Sequence, residues 1–250
     1  MVALREMSFA DQSEYSIRFE WGLPGLQATG TDAIIVLVDI LSFTTSVSVA
    51  CARGATVFPC RWHDSEASDL ARRENAQLAS RRGSESSDVG RFSLSPESLL
   101  RAGPELRLVL PSQNGSVVAY EGMRQNRIVV AASIRNATAI ASWLSRQDSA
   151  VSVIAAGERW NDGTWRFAIE DLLGAGAVIA QLAGTRSPEA DGAAAAFNSA
   201  QYDLFAALRD CSSGREFVKR AFEADVSLAA ELNIEQSVPV LSSGAFRSAA

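Results

Sequence analysis

"AIIVLVD", residues 33–39, sets six apolar side chains in a row and stops them at an aspartate. A half-exposed strand would alternate apolar and polar residues. An unbroken apolar run too short for a helix of its own reads as a strand covered on both faces. Four more runs share the character: "ATVFPC" (55–60), "LRLVLP" (106–111), "RIVVAA" (127–132) and "AVSVIAAG" (150–157). Between and after them "SDLARRENAQLAS", "GSVVAYEGMRQ", "NATAIASWLSRQ" and "EDLLGAGAVIAQLAG" read as amphipathic helices. Repeated strand–helix units predict an α/β layered domain around a largely parallel sheet. "YSIRFEW" near the start adds a candidate strand, with an antiparallel placement open. Residues 81–98 read as a polar loop over one end of the sheet, and 184–199 as a flexible linker into a helical C-terminal section. With no internal repeat and no sharp break in composition, residues 1–250 are expected to form one domain.

The chain is 47% hydrophobic, ordinary for a soluble globular protein, and carries a formal net charge of −6. Lys219 is the only lysine and no long basic run appears, which argues against a nucleic-acid partner. Cys51, Cys60 and Cys211 are odd in number and far apart, so neither a disulfide framework nor a zinc site is expected. With no apolar signal core at the N-terminus and no membrane-length apolar run, the expectation is a cytoplasmic protein without a membrane partner. Oligomeric state is left open, a homo-oligomer included.

Polar residues collect where the strands end. Asp39 closes one, Gln113 and Asn114 follow another, Ser133 and Asn136 a third, Gly157 and Glu158 a fourth. In open α/β sheets ligands bind at the carboxyl ends of strands, beside helix N-termini whose free N–H groups favour anions. Each such residue is also an ordinary helix cap or favourable helix-start charge. Ser42, Thr44 and Thr45 can simply open the helix "TTSVSVACARG". The set of acids Asp39, Glu158, Glu170 and Asp171 supplies hard oxygen ligands, which suit magnesium rather than zinc. His63, the single histidine, reads as a surface or capping residue. A Walker-type GxxxxGK[ST] is absent, and no cysteine is followed six positions later by arginine. The aspartate-nucleophile phosphatases of the haloacid dehalogenase type place a second carboxylate two residues after the first, where this chain has Leu41.

Taken together the blocks resemble the 2-phosphosulfolactate phosphatase family, associated with coenzyme M biosynthesis. "VDILSFTTSVSVACARGA" is similar to that family's D-V-L-R-A-T-[ST]-T segment, "LPSQNGSVVA" to its T-N-G-T, and "AASIRNATAIASWL" to its G-S-x-x-N-A-x-A. "VIAAGERWNDGTWRFAIEDLLGAGAVIAQL" resembles its A-G-x-x-G…E-D-x-x-A-A-G, and "FEADVSLAAELNIEQSVPVL" its closing D-V…V-P segment. The five blocks keep their order from about residue 33 to 241. The resemblance implies a three-layer α/β/α sandwich with a mostly parallel or mixed central sheet. It also implies magnesium-dependent hydrolysis of a phosphate monoester of a small acid. It carries catalytic roles to Asp39, Glu158, Glu170 and Asp171, with Asp39, Glu170 and Asp171 holding the metal. Substrate contacts fall to Ser42, Thr44, Arg82, Asn114, Gly115, Ser133 and Asn136.

The departures are local. The family arginine after D-V-L falls on Ser42 and the next small residue becomes Phe43. "SRRGS" keeps Arg82 but puts Arg81 at the family's glutamate, and "FSLSP" lacks an acid and an asparagine. Two functions from different classes therefore stand side by side. One is a magnesium-dependent phosphatase acting on a small anionic phosphorylated substrate. The other is a relative without hydrolytic activity that binds a small anion or a protein partner.

Overall fold

A computed structural model describes residues 10–61, 64–83 and 92–249. His63 and residues 84–91, the middle of the expected polar loop, lie outside that set. The strands are β1 (Ile17–Trp21), β2 (Ile34–Val38), β3 (Thr56–Arg61), β4 (Gln77–Leu78), β5 (Arg107–Ser112), β6 (Val129–Ala132), β7 (Val151–Ala155), β8 (Glu158–Arg159), β9 (Trp165–Arg166), β10 (Pro239–Ser242) and β11 (Ala245–Ser248). The helices are α1 (Gly22–Ala28), α2 (Phe43–Ala52), α3 (Asp64–Arg73), α4 (Pro96–Leu99), α5 (Gly115–Arg124), α6 (Ala137–Leu144), α7 (Ile169–Ile179), α8 (Pro188–Ala200), α9 (Leu204–Asp210), α10 (Ser212–Lys219) and α11 (Glu223–Ala229).

The opening stretch behaves as its composition dictates. Every residue of β2 is buried, and the two-residue period divides them between two cores. Ile34, Val36 and Val38 pack with Ile140, Leu173, Val178 and Phe197 of α6, α7 and α8. Ile35 and Leu37 pack on the other face with Leu26, Phe43, Val47 and Val118 of α1, α2 and α5. Helices on both faces of one mixed sheet make the three-layer α/β/α sandwich.

The sheet order is β1-β7-β2-β6-β10-β11-β3-β5-β4, and β8 pairs with β9 in a separate antiparallel ribbon. β1, β7, β2 and β6 are mutually parallel, as are β3, β5 and β4. The strand in "YSIRFEW" is thus parallel to β7, since its partner is reached through a long crossover rather than a hairpin. Between the parallel blocks lies the hairpin β10–β11, antiparallel to both β6 and β3. Ser243 and Gly244 both take positive φ, 50° and 80°, in the two-residue turn whose twist matches a hairpin. This hairpin was not expected from the sequence.

Two expectations need correction. "SDLARRENAQLAS" is helical only to Arg73; Asn75 turns left-handed with φ 47° and the chain enters the short edge strand β4. The supposed linker 184–199 is mostly the helix α8. The Ser187 hydroxyl accepts from Ala190 N–H, Pro188 stands at the first turn, and Glu189 and Asp191 favour the helix N-terminus. Its buried face, Ala190, Ala193, Ala194 and Phe197, belongs to the α7 core. Among the described residues no helix is long and apolar enough to cross a membrane.

Candidate active site

β2 ends at Asp39, and the carboxylate at once becomes a backbone tie. Oδ1 accepts from the N–H groups of Ser42 (3.1 Å) and Phe43 (3.3 Å), and Oδ2 from Gly115 N–H at 2.8 Å. One side chain thereby joins the N-termini of α2 and α5. Thr44 locks the arrangement: its hydroxyl accepts from Asp39 N–H and donates to Asp39 C=O, both at 2.9 Å. Gly115 has no room for a side chain, because a Cβ would lie 2.7 Å from Asp39 Oδ2 and from the Phe43 ring.

Asp171, in the first turn of α7, makes the matching tie. Oδ1 accepts from Ile40 N–H (2.7 Å) and Oδ2 from Gly157 N–H (2.9 Å), linking the ends of β2 and β7. Gly157 is left-handed at φ 69°, and a Cβ there would stand 2.3 Å from Trp165 Nε1. Glu158 follows, accepting from Asn114 Nδ2 at 3.0 Å. Glu170, only 2% exposed, meets the Cys211 thiol at 3.4 Å.

Asp39, Asn114, Gly115, Glu158, Glu170 and Asp171 therefore come together as expected, though not because all strands point one way. By its ladder pairings β5 runs against β2, separated from it by three antiparallel steps. A single bridge, Phe246 to Val57, joins β11 to β3, while the shared core of Ile35, Leu37, Val57, Leu108 and Leu110 spans both halves. The twist of the sheet turns β5 away from strict opposition to β2. Their ends meet at the bond from Gly115 N–H to Asp39.

Other candidates sit differently. Ser133 and Asn136 are fully buried and form a reciprocal capping box, Asn136 also donating to Ser237 C=O at 3.1 Å. They and the equally buried Thr44 shape the strand ends, and their side chains have no open path to a substrate. Arg82 lies across α2, its Nε 3.0 Å from Asp225 Oδ2 and its guanidinium 4.3 Å from the centre of the Phe217 ring. It donates to Leu94 C=O, which also accepts from Ser46, one helical turn beyond Ser42. Ser42 is half-buried and its hydroxyl makes no capping bond. Arg135 is held by Glu231, Glu235 and Leu228 C=O, so it does not stand in for the family arginine at Ser42.

Sequence reasoning missed Cys211 and Arg166. Arg166 donates to Ser213 at 2.8 Å, two residues from the thiol that faces Glu170. Burial and the Glu170 charge push that thiol up to about 12, so it stays a neutral donor. No local pattern marks either residue, since the contact spans 41 positions.

Electrostatically the site is frustrated. Burial raises Asp39 and raises Asp171 far more, with neighbouring acids adding to both, against the backbone N–H bonds that favour ionisation. Burial, then the charges of Asp39 and Glu170, push Glu158 up to about 7 from 4.5. Among the described residues none of the four acids forms an ion pair. A carboxyl raised in the folded state stabilises below its unfolded pKa and loses that contribution as pH rises through the folded one. Metal-free protein should therefore lose on the order of 2–3 kcal/mol from Glu158 between pH 4.5 and 7. Glu158→Gln should flatten that part of a urea-unfolding pH profile; an unchanged profile would show that Glu158 ionises freely.

Carboxylates gathered with helix N-termini at the strand ends of a three-layer sandwich mark an α/β protein of the kind that binds ligands beside those ends. The profile described as 2-phosphosulpholactate phosphatase matches residues 24–244. A probable 2-phosphosulfolactate phosphatase of Gloeobacter violaceus is 30% identical over 223 residues, covering 86% of this chain and 91% of that protein. Proteins of the same description from Thermus thermophilus and Thermotoga petrophila are 31% and 28% identical, covering 88% and 84% of this chain and 92% and 90% of their own lengths. The chain belongs to the 2-phosphosulfolactate phosphatase family, whose members are phosphoric monoester hydrolases.

Proposed function

We propose that this protein is a magnesium-dependent phosphatase that hydrolyses the phosphate monoester of a small acid, with 2-phosphosulfolactate the first candidate from its relatives' descriptions. The observation that supports the metal is the cluster of four converging carboxylates without a cationic partner among the described residues, since buried charges are ordinarily paired or coordinated to metal. The described residues hold no ready-made cage of three or more ligands. That suits magnesium, which keeps several waters and takes only one or two carboxylates besides substrate phosphate. One or two of Asp39, Glu170 and Asp171 would hold it. The backbone bonds of Asp39 and Asp171 fix those carboxylates in place. When bound, magnesium neutralises charge on the phosphoryl group being transferred.

The chain's own groups supply the rest. Glu158, titrating near neutrality, is suited to take a proton from attacking water or return one to the departing alkoxide at its carboxylate oxygen. Asn114 holds that carboxylate in place. Ser42 stands at the opening of α2, where ester oxygens would lie. Cytoplasmic residence accords with three free thiols.

The decisive experiment is hydrolysis of 2-phosphosulfolactate and related esters by purified protein with magnesium and with chelator. Activity should appear with metal and vanish with chelator; a folded protein inert towards every ester, with no stabilisation by magnesium, would favour the non-hydrolytic binder. A second expectation concerns Ser42→Arg. Phe43 does not crowd the new side chain, because its ring is fully buried against Phe246. The guanidinium can grip phosphate oxygens in two parallel bonds, so KM for 2-phosphosulfolactate should fall roughly tenfold. No fall in KM would mean that phosphate does not approach α2.

A further inference from the structure

A cavity of about 430 Å³ opens beside the acidic cluster, walled by Trp21, Leu23, Pro24, Val117 and Trp165, with Asn114 and Arg159 at its edge. Its position matters more than its size. Asn114 lines the cavity and bonds Glu158, while its neighbour Gly115 bonds Asp39. A substrate whose ester sits at the carboxylates therefore has this chamber within one residue's reach. The wall is aromatic and fixed. Trp21 and Trp165 meet edge to face at 5.2 Å, and Trp165 Nε1 donates to Ala156 C=O at 3.2 Å, satisfying its only polar group. Trp165 nevertheless remains 42% exposed, leaving ring surface for a ligand. Arg159 is the one charged residue of the lining.

Building on the phosphatase reading above, we infer that this cavity receives an aromatic substituent of the substrate, so that a 2-hydroxy acid ester bearing a ring is preferred to the 2-phosphosulfolactate of the relatives' descriptions. An apolar chamber of this volume is in the range that encloses ring-bearing ligands, with a few polar groups setting orientation. It offers one cation and otherwise hydrocarbon and indole, so a strongly hydrated anionic substituent would lose its water there with little return. A phenyl or indolyl group exchanges water for contact with Trp165, Trp21 and Val117. The acid carboxylate remains near the mouth, within the field of Arg159.

The test compares 2-phospho-3-phenyllactate with 2-phospholactate, which share the acid and the ester oxygen and differ by the ring. With magnesium, KM for the phenyl compound should be at least tenfold lower, with kcat similar. Val117→Trp fills the chamber and should raise that KM towards the value for 2-phospholactate; Leu23→Trp fills it from the opposite wall if the first variant does not fold. Equal KM values in the wild type overturn the inference and leave the phosphatase reading intact. If neither is hydrolysed but 2-phosphosulfolactate is, the inference is overturned; if all three resist hydrolysis, the phosphatase reading falls instead. Quenching of tryptophan fluorescence by 3-phenyllactate but not by lactate then still supports the cavity as a ring-binding site, and no quenching overturns it. Concentration-dependent association that abolishes ring preference would show the cavity filled by another copy of the chain, and also overturns the inference.

Discussion

Asp171→Asn is expected to remove at least nine-tenths of the magnesium-dependent hydrolysis while leaving a folded protein. The two consequences separate because Asp171 carries two opposed loads. As an anion it lies buried among Asp39 and Glu170, and their charges raise it further. The amide relieves that repulsion. As a tie it accepts from both Ile40 N–H and Gly157 N–H, and an amide has one oxygen for two donors. Whichever way it turns, one buried N–H faces an NH2 group, at a cost of about 1–3 kcal/mol. The gains and losses nearly offset, so stability should move little. Metal-bound charge stabilisation is worth several kcal/mol, and nothing replaces it. The measurement is kcat with magnesium together with thermal unfolding. Full activity in a folded mutant would remove Asp171 from the metal site.

Gly115→Ala should damage the fold and the site together. The added carbon meets Asp39 Oδ2 and the Phe43 ring at 2.7 Å. Phe43 has no free direction, being fully buried with its ring 6.2 Å from that of Phe246. Either the start of α5 withdraws, breaking the bond from Gly115 N–H to Asp39, or the core opens around Phe43. Overpacking and loss of a charge-assisted hydrogen bond together amount to roughly 2–4 kcal/mol. For a chain of this size the unfolding temperature should fall by roughly 5–10 °C. Activity should fall too, because Asp39 loses its third anchor. A melting curve within 2 °C of wild type, on the order of the shift from 1 kcal/mol or less, would mean that α5 absorbs the methyl at little cost.

How far the sequence reveals this depends on the range over which each signal acts. β2, β3, β5, β6 and β7 are legible because burial on both faces leaves an unbroken apolar run. The meeting of Asp39 and Glu158 follows from their shared position after parallel strands, whereas Asn114 reaches them from a strand that runs against β2. α8 was legible in principle: Ser187, Pro188, Glu189 and Asp191 form a helix-start signature that an alanine-rich, glycine-containing composition obscures. β10 and β11 hold four residues each, too few for a periodicity to declare itself. What no local pattern carries is pairing at a distance. Arg82 was expected to contact substrate, but Asp225, from a helix far along the chain, stands at its guanidinium. Glu170 meets a cysteine 41 residues away. Thr44, Ser133 and Asn136 show the complementary limit, since polar residues at strand ends serve the backbone as readily as a ligand.

The position of β10–β11 also sets the order in which the molecule can be completed during synthesis. The two parallel blocks share no direct ladder; the hairpin at residues 239–248 is what connects them. As the chain leaves the ribosome, each block can form while the edges of β6 and β3 still present unpaired N–H and C=O groups. Those edges close only when the last strands of the sheet emerge. Until then the nascent protein carries two open templates for β-pairing with other chains, a hazard that grows with the delay. Emergence of residues 239–248, rather than growth of either half, is the moment at which the sheet becomes one.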